Sequence, residues 1–289
     1  MSFIRFDPIV LSLQDLLEGD LKLATPPEIY ARLRRMLAEP DVSMVNIAEV
    51  IEADPALSIR VLKLANSAFF SLPGQVASIL EAIRYVGIQH VQDIVLATEV
   101  MQRFDAIPTE LVDIYSFWRD SIRCAVLSRQ LAGSISGTPM HEQMFLAGLL
   151  HRIGHLVMYQ RIPELARKAL LEHRCRQLPI YEVERDLMGF DHAQLGAALA
   201  QQWQLPKLLC SVIAHQHFPQ SDQDYPDASA MLALAIQISE IGSFDGTAID
   251  TGLAQQPELL LGSGLAPEAL PLVLKKAERD YEASLALLY

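Results

Sequence analysis

The residues that could do chemistry in this chain are mostly histidines. His151 and His155 lie four apart, a spacing that puts two imidazoles on one face of a helix, as in zinc-protease helices. With His192 they would supply three nitrogen ligands to a single metal ion, if any is bound. A zinc protease also needs a glutamate directly after the first histidine as general base, and Arg152 stands there. Histidines bonded to neighbouring backbone are the simpler reading, so no metal and no cofactor is expected. His215 and His217 flank Gln216 further along. Cys210 precedes His215 by five residues but reads as a small core residue rather than a nucleophile. No Walker loop, GxGxxG or GxSxG occurs.

These residues must be positioned by helices, because no strand-like alternation is sustained anywhere. Residues 1–20 form an apolar lead-in. Thr25-Pro-Pro-Glu28 predicts a helix start with Thr25 as cap and Glu28 closing a capping box. Ser43, Asp54-Pro55 and Ser78 predict three further starts, and Gly87 a stop. One helix is expected from His141 to Tyr159, carrying both His151 and His155. Helices follow over 180–188, from 192 to Trp203, and from Pro206 to near His217. Residues 219–226, with Asp222 and Asp224, read as an exposed loop, 228–241 as a buried helix, and 266–288 as helical with a break at Pro271. The expected fold is all-α.

Composition narrows the partners. A net charge of −12 with no basic block argues against nucleic acid as the main ligand. Cys124, Cys175 and Cys210 are widely spaced with no CxxC, which suits a reducing compartment. No apolar run approaches the roughly 20 residues needed to cross a membrane. A soluble, cytoplasmic protein is expected.

Two blocks, Asp-Pro-Ala-Leu-Ser-Ile-Arg-Val-Leu-Lys-Leu-Ala-Asn-Ser-Ala-Phe-Phe over 54–70 and Ser-Ile-Leu-Glu-Ala-Ile-Arg-Tyr-Val-Gly over 78–87, resemble the HDOD family of HD-related output domains in bacterial signalling proteins. The resemblance continues to about residue 217. It implies a multi-helix HD-like domain over 21–217, with 218–289 a helical extension packed on or completing that core. It also implies a place downstream of two-component or cyclic-dinucleotide regulation.

HD-type phosphohydrolases hold divalent metals among histidines and a His-Asp pair, and the metal acidifies a water that attacks phosphorus. By resemblance, Asp120 stands in place of a first histidine, the pair reads His151-Arg152, and His192, His215 and His217 fall at histidine positions. A terminal aspartate is missing from 233–238. A guanidinium cannot lose its charge, so Arg152 would repel a cation unless it swings outward, and pairing with Asp120 or Asp191 is an alternative use for it.

The resulting expectation is a non-catalytic module that binds a signalling protein, with Asn66, Phe69 and Phe70 as its surface and a homodimer as one possible assembly. A residual phosphohydrolase using His151, His192 and His215 is one alternative. A sensor that binds a small anion through Arg152 is another.

Overall fold

The protein, described by a computed structural model, is placed over residues 12–18, 25–67, 70, 72, 74–104, 107, 110–135, 141–246, 249, 253 and 257–288. It is all-α, with no strand among the described residues. Short α1 (Leu13–Leu17) precedes an amino-terminal group: α2 (Glu28–Leu37), α3 (Met44–Glu52), α4 (Pro55–Ala65), α5 (Ile79–Val86) and α6 (Ile88–Arg103). The remainder gathers around the long α7 (Ile114–Gly133). It comprises α8 (His141–Leu150), α9 (Ile153–Arg161), α10 (Pro163–Arg176), α11 (Ile180–Met188), α12 (His192–Gln202) and α13 (Lys207–Ala214). Then come α14 (Pro226–Ile241), α15 (Pro257–Gly262) and α16 (Leu270–Ser284), with a terminal 3₁₀ turn at Leu285–Leu288.

Local chemistry sets most of the amino-terminal boundaries. Ser43 accepts from the Val45 amide, Asp54 from Ala56 and Leu57, and Ser78 from Glu81, each an N-cap at the expected position. Gly87, at φ +95°, ends α5 and opens α6. The start of α2 departs from expectation. Its cap position is Pro27, without a side-chain bond, and Thr25 lies outside the helix. The Glu99 carboxylate, reaching across from α6, accepts the Ile29 and Tyr30 amides at 3.1 and 2.8 Å. A tertiary contact does the work that a capping box would do locally.

α7 packs against α8, α14 and α16. Pro271 falls in the first turn of α16 and does not break it, because a proline there removes no helical hydrogen bond. Gly148 and Gly154 mark two close approaches of backbone. A Cβ added at Gly148 would sit 2.5 Å from Ala125 Cα on α7, and one at Gly154 would sit 2.0 Å from the His192 carbonyl oxygen. Only hydrogen in place of a side chain lets α8 meet α7, and α9 meet α12, at these points.

The segment between α13 and α14 is less exposed than its polar composition suggests. Asp222 is buried and accepts from the Ser211 and Ser229 hydroxyls at 3.0 and 2.6 Å and from the Asp224 and Tyr225 amides. It pins the turn before α14 to α13.

Candidate functional site

The expected single helix over 141–159 is two helices, broken at His151 and Arg152. His151 turns back onto its own chain, with Nδ1 2.6 Å from the Gly148 carbonyl, while His155 projects from α9. The two histidines therefore do not share a helix face. Burial first, and then the neighbouring Arg152 guanidinium, hold the His151 imidazole well below its ordinary range.

His155 meets residues that local spacing does not connect. Its Nε2 lies 2.8 Å from Oε1 of Glu184 on α11. The other oxygen, Glu184 Oε2, lies 2.7 Å from His192 Nδ1 and accepts the His192 backbone amide at 3.0 Å. The His155 and His192 rings stack with centroids 3.8 Å apart. His192 Nε2 then faces His217 Nε2 at 3.2 Å, and Tyr181 stacks on the outer face of His217. The result is a buried chain of rings, His155–Glu184–His192–His217, closed by a tyrosine.

Protonation follows from this geometry. Burial alone would raise the Glu184 carboxyl, but the two facing histidines overcome it and hold Glu184 below the usual carboxylate range. An ionised carboxylate only accepts, so the ring nitrogens facing it carry protons. Burial, with His192 alongside, pushes His155 down to about 4. Burial, then His192 and His155, push His217 down to about 2. Next to the cluster, Asp191 caps α12 in a capping box with Gln194, is fully buried, and lies 2.6 Å from Arg185.

The other expected positions fall elsewhere. Asp120 is half-exposed and pairs with Arg123 at 3.2 Å. Asp191 belongs to Arg185, so Arg152 pairs with neither aspartate. Arg152 instead donates to the Phe117 carbonyl at 3.0 Å and lies over the Phe117 ring at 4.6 Å. A π face and a carbonyl hold one end of the guanidinium, while its buried Nε–H has no hydrogen-bond partner among the described residues. His215 caps the end of α13, Nδ1 2.9 Å from the Ser211 carbonyl, and lies outside the cluster. Asn66 is bonded both ways to the Val76 backbone, and Phe70 is half-buried with its edge on His90. Phe69 lies outside the described residues.

The set able to hold one cation is His155, Glu184 and His192, whose donor atoms lie within 4.8 Å of one another. Glu184 takes the place expected for His151. These residues do not fit the multi-carboxylate metal centre of an HD phosphohydrolase: the cluster has one carboxylate, both of its oxygens are bonded, and Arg152 stands where the aspartate would be. Glu184 belongs to no motif. Its signal in the sequence was a carboxylate on the inward stripe of α11, beside Val183, Leu187 and Met188.

An all-helical domain built on a buried histidine–carboxylate chain, with an arginine after the first histidine, is an HD-like fold whose phosphohydrolase ligands are incomplete. Residues 23–219 match the HDOD domain, and the chain belongs to that family. The crystal structure of a protein from Shewanella amazonensis SB2B, named as a candidate phosphohydrolase, is similar at 25% identity and TM-score 0.75, over 96% of both chains. An HDOD domain protein of unknown function from Geobacter sulfurreducens matches at 22% identity and TM-score 0.73, over 95% of both. An uncharacterized protein of Treponema pallidum (strain Nichols) is 28% identical over 72% of this chain, which spans only 40% of that relative's length.

Proposed function

We propose that this chain is a non-catalytic signalling module that acts by binding a protein partner. The observation that carries the reading is the fate of Arg152 and Glu184. The arginine is built into the core against Phe117, and the cluster's carboxylate is fully used in bonding its own histidines. As arranged, both Glu184 oxygens face histidines and the Arg152 guanidinium leans on Phe117 instead of facing the cluster. Membership of the HDOD family supports a signalling role.

For the partner, the structure favours a different surface from Asn66 and Phe70. Met44 and Val45 on α3, Ile59 on α4 and Tyr85 on α5 are exposed apolar side chains on three helices that pack together.

The test is metal content of untagged protein purified without added metal or chelator, together with hydrolysis of bis(p-nitrophenyl) phosphate in excess manganese. Substoichiometric metal and no turnover are expected. Near-stoichiometric metal with turnover abolished by His192→Ala would overturn the non-catalytic reading.

A further inference from the structure

Among the described residues, eight large apolar side chains are exposed, and four of them lie on three consecutive helices: Met44 and Val45 on α3, Ile59 on α4 and Tyr85 on α5. The other four, Tyr115, Leu171, Leu261 and Leu272, are scattered over four different helices. Ile59 and Tyr85 are 55% and 63% exposed. α3, α4 and α5 pack pairwise, and only Ala53 and Asp54 separate α3 from α4. The exposed apolar side chains are thus concentrated on one small three-helix unit.

The charges on this unit are sorted by helix. α3 carries only Glu49 and Glu52, both exposed, which share one stripe with Val45 at i, i+4 and i+7. α4 carries only Arg60 and Lys63, with Lys63 one turn beyond Ile59. On α5, Glu81 is spent on the Ala77 amide, which leaves Arg84 exposed beside Tyr85. Among the described residues, none of Glu49, Glu52, Arg60, Lys63 and Arg84 takes part in an ion pair or a side-chain hydrogen bond. Each helix therefore presents an apolar side chain with unpaired charge of one sign, anionic on α3 and cationic on α4 and α5.

This sorting restricts the partner. Two copies of a chain with net charge −12 repel over most of their surface, and this face, with three cations against two anions, is where they repel least. A two-fold interface must be complementary to itself, with one half of the patch meeting the other half of its copy. An anionic α3 beside a cationic α4 and α5 meets that condition. A partner of single-signed charge would instead meet like charge on one half.

We propose that the surface on α3, α4 and α5 is a homodimer interface, with α3 of each copy facing α4 and α5 of the other across Val45, Ile59 and Tyr85. The proposal rests on the reading of this surface as the docking site and names its occupant as a second copy of the chain.

The test is sedimentation equilibrium of the full chain from about 1 to 200 µM, where a monomer–dimer equilibrium with a Kd below about 100 µM is expected. Ile59→Glu buries a charge at the apolar centre and should weaken the dimer at least about tenfold, with the melting temperature unchanged because Ile59 is exposed. Charge reversal gives the sharper readout. Glu49→Lys with Glu52→Lys makes α3 cationic, and Arg60→Glu with Lys63→Glu makes α4 anionic. Each reversed chain alone should stay monomeric, since like charges then meet in both halves of the interface. Mixed, the two should form a heterodimer, because both meetings are again of opposite charge. A native chain that stays monomeric, or a dimer unmoved by Ile59→Glu, would overturn the proposal. So would reversed chains that keep their melting temperatures yet fail to pair when mixed. The non-catalytic reading is judged separately, by metal content and hydrolysis.

Discussion

The histidine cluster and the cleft between α2, α6, α8 and the start of α13 treat their polar side chains in opposite ways. In the cluster, both Glu184 oxygens are bonded, and the rings of His155, His192 and His217 are each held by a neighbour at 3.2 Å or less. In the cleft, the polar ends of Gln92 and Tyr30 have no protein partner among the described residues and open onto solvent. A closed network of this kind stabilises and specifies a fold, whereas polar atoms that open onto a cleft can bond to water and cost little. The cluster's polar atoms are thus spent on one another, and those of the cleft face solvent.

The sharpest way to break this comparison is Glu184→Ala. It removes the acceptor of two imidazoles and one backbone amide, and a loss of about 3–5 kcal/mol is expected, as for breaking a buried ion pair from one side. Urea unfolding would measure it, and a loss near zero would mean that the cluster is not holding the fold. The pH dependence comes next. His155 titrates near 4 when folded, against 6.5 for the free side chain, so the unfolded chain binds its proton first as the pH drops. Stability contributed by the neutral ring is full above about pH 6.5 and is lost as pH falls towards 4, on the order of 3 kcal/mol in all. His217 and Glu184 act in the same direction. Unfolding free energies at intervals from pH 7.5 to 4.5 should therefore decline, and His155→Gln should flatten the decline.

Gly154→Ala is expected to cost about 1–3 kcal/mol, because its methyl would overlap the His192 carbonyl and push α9 off α12. Thermal unfolding would show it. The smallest effect belongs to the cleft, where Tyr30→Phe should change the stability of the free protein by less than about 0.5 kcal/mol, since no protein bond is lost. A large drop would show that the hydroxyl is structural after all.

Much of the amino-terminal half was legible in the sequence because its signals are local. Ser43, Asp54, Ser78 and Gly87 act on residues within three or four positions of themselves, so short motifs locate them. What escaped depends on distance along the chain. Glu99 caps a helix some 70 residues earlier, and no pattern around Thr25 reports that. Glu184 reaches His155 from 29 residues away. The break at His151 was hidden by a continuous apolar run, which helix periodicity cannot distinguish from two shorter helices. Asp222 looked like a solvated loop residue because its partners, Ser211 and Ser229, lie on two different helices. Arg152 was expected to pair with Asp120 or Asp191. Its actual partner, a carbonyl and ring at Phe117, is not a pairing that charge patterns suggest.

The terminal 3₁₀ turn at Leu285–Leu288 packs on α4 and α7, and Arg34 on α2 donates to the Trp203 and Gln204 carbonyls, 169 and 170 residues away. Contacts of such long sequence separation slow folding, since the intervening chain must be closed before they form. During synthesis the α4 face would leave the ribosome well before the segment that covers it has been made. The amino-terminal helices therefore spend that interval with apolar surface bare, and they mark where this chain is most open to chaperone capture or to misassembly with a second copy.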